Sequence, residues 1–532
     1  MNTSATQANR QIARAAGTVM AAFVLSNLVG LVRQILVTET FGTGREIDSF
    51  YAAARLPDLL FVLVAGGALA SAFIPTFTGL LAEERRPAAW KLASNIANLI
   101  FVVLALLSLL CAFFAGPIVR NLLAPDFPPA EQALTISLMR ILLLMPTIFG
   151  LSGLLMGVLN AHQIFLLPAL APTMYWLGMI FGVLFFVPSL GIYGLAWGAV
   201  LGAVLHLVIQ IPALLRLKDR HYSPSFGLQS ADVREVARLM GPRLLGVAVV
   251  QLNFWINIYI ATGEAAGSVT AITVAWQVMT MPQVVIAQAL AIAALPTFSA
   301  QVAGGLLNDM RGSLAGTLRG VLLLSVPAGI GLMLLRQSLI ATLFQRGAFD
   351  AHSTDLVAWA LLWYALGLVS HSVVEIVSRA FYALHDTKTP VFVGAAAMGL
   401  NAVLSFLFVD WFSQLGWLPF GGLALANTVA TTLEMGGLLV IMRSRLNGLN
   451  GRAIGTGILQ AGGAAAIMSI GVFAWMQWSA GYPAWVTAAG GVLLGGVLYG
   501  MILLVLRVPE LRTALDYLQR RLADGLPSGR EG

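Results

Sequence analysis

Charge is what this sequence has least of. Asp, Glu, Lys and Arg make up 10% of its 532 residues, against about a quarter in an ordinary soluble domain. That scarcity excludes a string of soluble domains. It equally excludes a disordered chain, which needs polarity to stay solvated. A single cysteine, Cys111, permits no intramolecular disulfide. One Cys and six scattered His leave no ligand set for a zinc or iron–sulfur centre. The phosphate-loop GxxxxGKS/T, a GxGxxG after a strand, HExxH and GxSxG are all missing. No nucleophile, base and orienting group can be assembled, so the expectation is a non-enzyme without a bound cofactor. No soluble stretch is large enough for an ATPase. Any transport would run on Na+ or another ion gradient, on the membrane potential, or on the substrate gradient.

Apolar residues, by contrast, make up 58%, and the mean hydropathy is +0.86. A helix needs roughly 20 apolar residues to cross the hydrocarbon core. Fourteen stretches qualify, near 17–38, 49–81, 92–116, 133–159, 164–187, 191–215, 239–261, 269–301, 314–335, 355–384, 390–410, 419–442, 454–477 and 484–507. The expected fold is an all-α polytopic membrane protein with about fourteen spans. The second, eighth and tenth stretches are long and carry Gly, Pro or charge, which predicts bent or tilted helices.

The net charge of +7 follows from topology. With fourteen spans, the termini and even-numbered loops hold 21 Lys and Arg, and the opposite side holds four, Arg45, Arg120, Arg336 and Arg346. Basic residues favour the cytoplasmic side, so both termini are expected there. The first apolar run has no small-residue cleavage site behind it and reads as a retained span. The basicity needs no nucleic acid to explain it. Residues 509–523 read as an amphipathic helix with a basic side for the cytoplasmic interface.

The chain also resembles itself. ASAFIPTF around Pro75 recurs as AIAALPTF around Pro296, Pro168 recurs as Pro390, and Gly194-Leu195-Ala196 recurs as Gly422-Leu423-Ala424. The near-constant offset predicts two parallel six-helix lobes facing each other across a cavity. The expected division is 1–222 for the first lobe and 223–446 for the second. Spans 13 and 14 then occupy 447–508, and a cytoplasmic tail 509–532.

Five arginines remain after the count of basic residues by side: Arg33, Arg55, Arg140, Arg243 and Arg379. The candidate intramembrane acids are Asp58, Glu375 and Glu434, with Asp48 at a span end. Ionisable groups in hydrocarbon are costly and mark partners, water or substrate. Arg55, Arg140 and Arg243 are near enough to span ends to snorkel. Glu375 and Arg379 share a helix face at i,i+4, which suits either a local pair or a cavity-lining one. Arg33 lies deeper. It either meets an anionic head group or pairs with Asp48 or Asp58 to hold spans 1 and 2 together. His206 and His371 read as hydrogen-bonded structural residues.

SNLVGLVRQILVTETFGTGREIDSFYAAARLPDLL, followed by AGGALASAFIPTF, with LFQRGAF at 343–349 and FYALHDTKTP at 381–390, resembles the MurJ/MviN family. These are lipid II flippases of the multidrug/oligosaccharidyl-lipid/polysaccharide (MOP) exporter superfamily, acting in peptidoglycan and cell-wall biogenesis. The resemblance implies alternating access in the bacterial inner membrane. It implies a monomer, an undecaprenyl-pyrophosphate-type lipid substrate among membrane lipids, and a groove of spans 13–14 for the polyprenyl tail. Arg33 stands at a family cavity arginine. At three other family arginines this chain has Asn27, Phe61 and Gln277, and it has Gly66 where the family has a glutamate. The substrate-binding set expected is Arg33, Arg55, Asp48, Gln277, Arg243, Glu375 and Arg379, because guanidinium forks match phosphate oxygens. Some relatives bind sodium through carboxylates in the second lobe; the corresponding helices here offer Asn253, Asn257, Asn401 and Ser405. Export of another lipid-linked glycan or amphiphile, and a transport-inactive envelope scaffold, stand as alternatives.

Overall fold

In hydrocarbon, every backbone N–H must find its acceptor within its own segment, which selects helices. The computed structural model describes residues 3–64, 67–218 and 220–510. Side chains up to residue 19, at 63–71 and through most of 241–250 lie outside the described set. Among the described residues there are helices and no strands.

Apart from the short helical turns Ala115–Ile118 and Val119–Leu123, the first eight helices are α1 (Thr3–Phe41), α2 (Arg45–Val64), α3 (Gly67–Ala82), α4 (Arg86–Phe113), α5 (Pro129–Ala161), α6 (Leu166–Leu190), α7 (Ile192–Arg216) and α8 (Ala231–Thr262). They are followed by α9 (Ser268–Ala303), α10 (Leu307–Phe344), α11 (Ala351–Leu366), α12 (Leu368–Ala383), α13 (Lys388–Gln414), α14 (Gly421–Arg445), α15 (Gly451–Trp478) and α16 (Ala484–Val505). Pro75 and Pro296 fall inside α3 and α9, Pro168 and Pro390 in the first turns of α6 and α13, and Gly194 and Gly422 in those of α7 and α14. The sequence repeat is thus a repeat of helix positions.

Eleven described helices are long and apolar enough to cross a membrane, and twelve if α11 and α12, bent by 45° at their junction, form one span. The two remaining expected spans are α2–α3 and α8. Both contain or border residues outside the described set, at 63–71 and 241–250, and only described residues are counted here. Helix α2 carries Arg45, Glu46, Asp48, Arg55 and Asp58, and α8 carries Asp232, Arg234, Glu235, Arg238 and Arg243.

Packing divides the chain into two compact units, residues 1–270 with 346–350, and residues 271–345 with 351–532. The division by packing falls later in the chain than the division by repeat, because α8 joins the first unit.

In the first unit, α6 and α7 cross with backbones in contact. Gly178 and Gly182 oppose Gly202 and Gly198, and a Cβ on Gly198 would stand 2.7 Å from the Gly182 Cα. Such small-residue stripes let helices associate where lipid offers no hydrophobic drive. In the second unit, α15 and α16 pack on α10 through Leu323, Leu335, Ala461, Ala465, Met468 and Leu503. The Tyr499 hydroxyl donates to the Leu323 carbonyl at 2.8 Å. Arg319 on α10 donates to Glu510 at 2.5 Å and to the Ala453 carbonyl at 2.7 Å, fastening both ends of that helix pair. The expected amphipathic tail lies outside the described residues from 511 onward.

Candidate functional site

Arg33 is 7% exposed, between three and four turns into the span Met20–Phe41. Three neighbours hold it. Its Nη1 donates to Gln34 Oε1 at 2.9 Å, and Gln34 Nε2 donates to the Tyr51 hydroxyl of α2 at 3.0 Å. The guanidinium carbon stands 4.6 Å from the centroid of the Trp176 ring of α6, over its face. Gly30, one turn before Arg33, makes room for that ring: a Cβ there would stand 3.3 Å from the indole Nε1. The Arg33 Nε–H is buried and has no hydrogen-bond partner. Among the described residues Arg33 makes no ion pair with Asp48 or Asp58.

Asp48 is committed elsewhere. It is 3% exposed. Its Oδ2 accepts the Gly267 N–H at 2.7 Å, and its Oδ1 accepts the Thr270 N–H at 2.8 Å and the Thr270 hydroxyl at 2.5 Å. These are the orphan donors at the start of α9, so Asp48 acts as a cap supplied from another helix. The LFQRGAF stretch also docks on α1. The Ala348 N–H donates to the Glu39 carbonyl at 2.7 Å, and Phe349 is fully buried. Gly42 and Gly347 both adopt positive φ, at 59° and 56°. A Cβ on Gly42 would strike the Ala348 carbonyl, and one on Gly347 the Glu39 carbonyl. The glycines of the two resembling stretches exist for this contact.

The other expected site residues divide between the two units. Arg55 sits over the Phe254 ring of α8 at 5.9 Å, and its charge acts on Asp58, three residues along α2. The side chain of Arg243 lies outside the described residues. Gln277, on α9, and the Glu375–Arg379 pair, on α12, belong to the second unit. That pair is closed: Arg379 Nη2 donates to Glu375 Oε1 at 2.8 Å. The sodium-type candidates bond along their own helices, Asn257 to Asn253 at 3.4 Å and Ser405 to Asn401 at 3.2 Å. Their oxygens are neutral amides and a hydroxyl. No cluster of three acidic, His or Cys side chains fit for a metal occurs among the described residues.

Both intramembrane histidines are hydrogen-bonded. His206 Nδ1 meets the Ser152 hydroxyl at 2.6 Å, and His371 Nε2 meets Asn427 Oδ1 at 3.0 Å. Arg140 donates to the Ala112 carbonyl at 3.2 Å. Sequence reasoning missed Trp176, Gln34 and Tyr51. Trp176 is one aromatic in an apolar run and carries no signal of its own. Gln34, polar and adjacent to Arg33 in a span, could have been noticed.

Among the described residues this is an all-helical, multi-pass membrane fold with a cation buried inside one span and close helix contacts at glycines. The solved structures agree. A structure described as "Lipid II flippase MurJ, inward closed conformation" superposes with a TM-score of 0.77 at 21% identity, covering 91% of this chain and 97% of that one. An inward-facing multidrug resistance MATE transporter of the MOP superfamily superposes at 0.67 and 15% identity, over 82% and 99%. At such identities the likeness is one of fold. The family model "Lipid II flippase MurJ" matches residues 37–489. "Lipid II flippase MurJ" of Burkholderia cenocepacia is 32% identical over 410 residues, 76% of this chain and 79% of that protein. "Probable lipid II flippase MurJ" of Vibrio cholerae is 27% identical over 524 residues, 94% and 97% of the two chains. The chain belongs to the MurJ family, and it is a multi-pass protein of the bacterial inner membrane.

Proposed function

We propose that this protein is a lipid II flippase. It moves the undecaprenyl-pyrophosphate-linked peptidoglycan precursor from the inner to the outer leaflet by alternating access, driven by the membrane potential or a Na+ gradient. We place both termini in the cytoplasm and take the monomer as the working unit. The problem such a protein solves is electrostatic. A pyrophosphate and its sugars cannot enter hydrocarbon unpaired, since burying an isolated anion costs far more than one contact returns. A guanidinium fixed inside the membrane supplies both the charge and the matching donor geometry.

The observation that carries this reading is Arg33. It is more than nine-tenths buried in α1, no carboxylate among the described residues pairs with it, and its Nε–H is unpartnered. Membership of the MurJ family supplies the substrate class. Arg55 is a further span cation of the same unit, and its charge acts on Asp58 beside it. The residues at 27, 61 and 277 favour a second reading. Asn, Phe and Gln leave fewer cations than the resembling family carries, which suits a lipid-linked glycan with a less anionic head group.

Complementation tests the choice. The wild-type gene should sustain growth of a cell depleted of its own MurJ, and an Arg33→Ala variant expressed at the same level should not. Wild-type protein that reaches the membrane and fails to rescue would favour the second reading.

A further inference from the structure

An arginine buried in a membrane span is normally stabilised by an acid, and the acid then occupies the donors a phosphate would use. The Glu375–Arg379 pair shows this arrangement, with a guanidinium N–H spent on a carboxylate at 2.8 Å. Arg33 is held differently. The acid expected nearest to it, Asp48, spends its oxygens on Gly267 and Thr270. In its place stands the indole of Trp176, with the guanidinium carbon 4.6 Å from the ring centroid.

We propose that Trp176 is the positioning residue of the Arg33 site: its indole holds and partly compensates the guanidinium by its face, leaving the in-plane donors for the pyrophosphate. This rests on the reading of Arg33 as the head-group contact. The argument is geometric. A guanidinium is planar and all five of its N–H bonds lie in that plane. A π face placed over the plane attracts the charge without accepting from any of them. One donor, Nη1, goes to the neutral Gln34 amide, which fixes rotation about the long axis. The buried Nε–H is left without a partner. A neutral amide and an aromatic face can both be retained when an anion arrives, whereas a carboxylate would have to be displaced.

The ring is itself located by packing. Gly30 gives it a place against α1. Tyr175 lies 4.8 Å from it, and Phe149 lies 5.2 Å from Tyr175. Trp176 is thus half-buried between Gly30 of α1 and Tyr175 of its own helix, which in turn packs on Phe149 of α5. Gln34 is anchored in turn by Tyr51 of α2 at 3.0 Å. Three helices thus fix one guanidinium with no negative charge.

The test is binding of purified lipid II to the detergent-solubilised full chain, by thermophoresis, with thermal unfolding measured on the same samples. Trp176→Leu should weaken binding about tenfold, and Trp176→Phe by roughly threefold, the range expected for losing or weakening a desolvated cation–π contact. Neither substitution should weaken binding further in an Arg33→Gln background. Unchanged binding by both Trp176 variants, with Arg33→Gln impaired, would overturn the positioning role and leave the Arg33 reading standing. Unchanged binding by Arg33→Gln would overturn that reading itself. An equal loss from Trp176→Leu in both backgrounds would show that Trp176 serves only the fold. If Trp176→Leu does not fold, Trp176→Phe, which keeps a ring, supplies the same comparison with and without Arg33.

Discussion

Single residues in this protein separate into those that hold the chain and those left with unspent bonding capacity. Asp48 belongs to the first group. An amide in its place would still present one oxygen, but its NH2 would turn a donor toward either the Gly267 or the Thr270 N–H. Asp48→Asn should therefore cost about 1–3 kcal/mol, the usual penalty for an unsatisfied buried donor, read as a lowered unfolding temperature in detergent. Asp386, in the FYALHDTKTP stretch, is likewise a cap. It accepts from the Thr389 hydroxyl at 2.8 Å and the Thr389 N–H at 3.0 Å, and it pairs with Arg445 at 3.1 Å. The Thr389 hydroxyl and N–H, with Arg445 behind them, hold its carboxyl below the usual carboxylate range. Its contribution is complete above the unfolded value, near 4, and disappears as pH falls through the lower folded value. Asp386→Ala should lose about 1 kcal/mol at pH 7, and the gap to wild type should close as unfolding is measured toward pH 3. These roles were not legible beforehand. Sequence position marks both acids as parts of resembling stretches, but only the fold shows that their oxygens face helix N-termini. The cation Arg33 was legible, because a charge deep in an apolar run is costly wherever it points. Its holder, Trp176, was not, since it lies 143 residues away in sequence and looks like any apolar core residue.

Helices were legible where apolarity builds them. The eleven helices that meet the span criterion coincide with predicted stretches. Helices α2, α3 and α8 contain or border residues outside the described set, and the stretch 244–261 of α8 carries no charge. The α6–α7 crossing could not be read from periodicity, because both helices are apolar on all sides and glycines are frequent throughout. It makes a sharp prediction. Gly198→Leu would drive a side chain into the Gly182 backbone and the Gly178 carbonyl, 3.1 Å from where its Cβ begins. It should cost about 3 kcal/mol or more, since a packed backbone has little room to yield. Gly316→Ala on α10, where a Cβ meets nothing within 4 Å, should be neutral or mildly stabilising by the loss of backbone entropy in the unfolded chain. Size-exclusion profiles and thermal unfolding of the two variants give the comparison.

Over the whole molecule, the repeat of Pro75 and Pro296, Pro168 and Pro390, and Gly194 and Gly422 was visible in sequence and returns as matching helix positions. The attachment of α8 and of residues 346–350 to the first packing unit was not visible, because it depends on contacts between stretches far apart in the chain. The sidedness proposed for the chain rests on its basic residues. In a variant lacking Cys111, single cysteines at 45 and 346 should react with an impermeant maleimide added to intact cells, and cysteines at 218 and 445 should not. Labelling at 218 from outside would reverse the topology. The account as a whole turns on a cation buried in α1 that meets the head group of a lipid-linked substrate. The direct measurement is translocation of fluorescent lipid II across proteoliposomes reconstituted with wild-type protein, Arg33→Lys and Arg33→Ala at equal density. Wild type should move the lipid, Arg33→Lys should move it slowly because an ammonium lacks the bidentate fork, and Arg33→Ala should be inactive while unfolding at the wild-type temperature. Transport by Arg33→Ala at the wild-type rate would contradict the account.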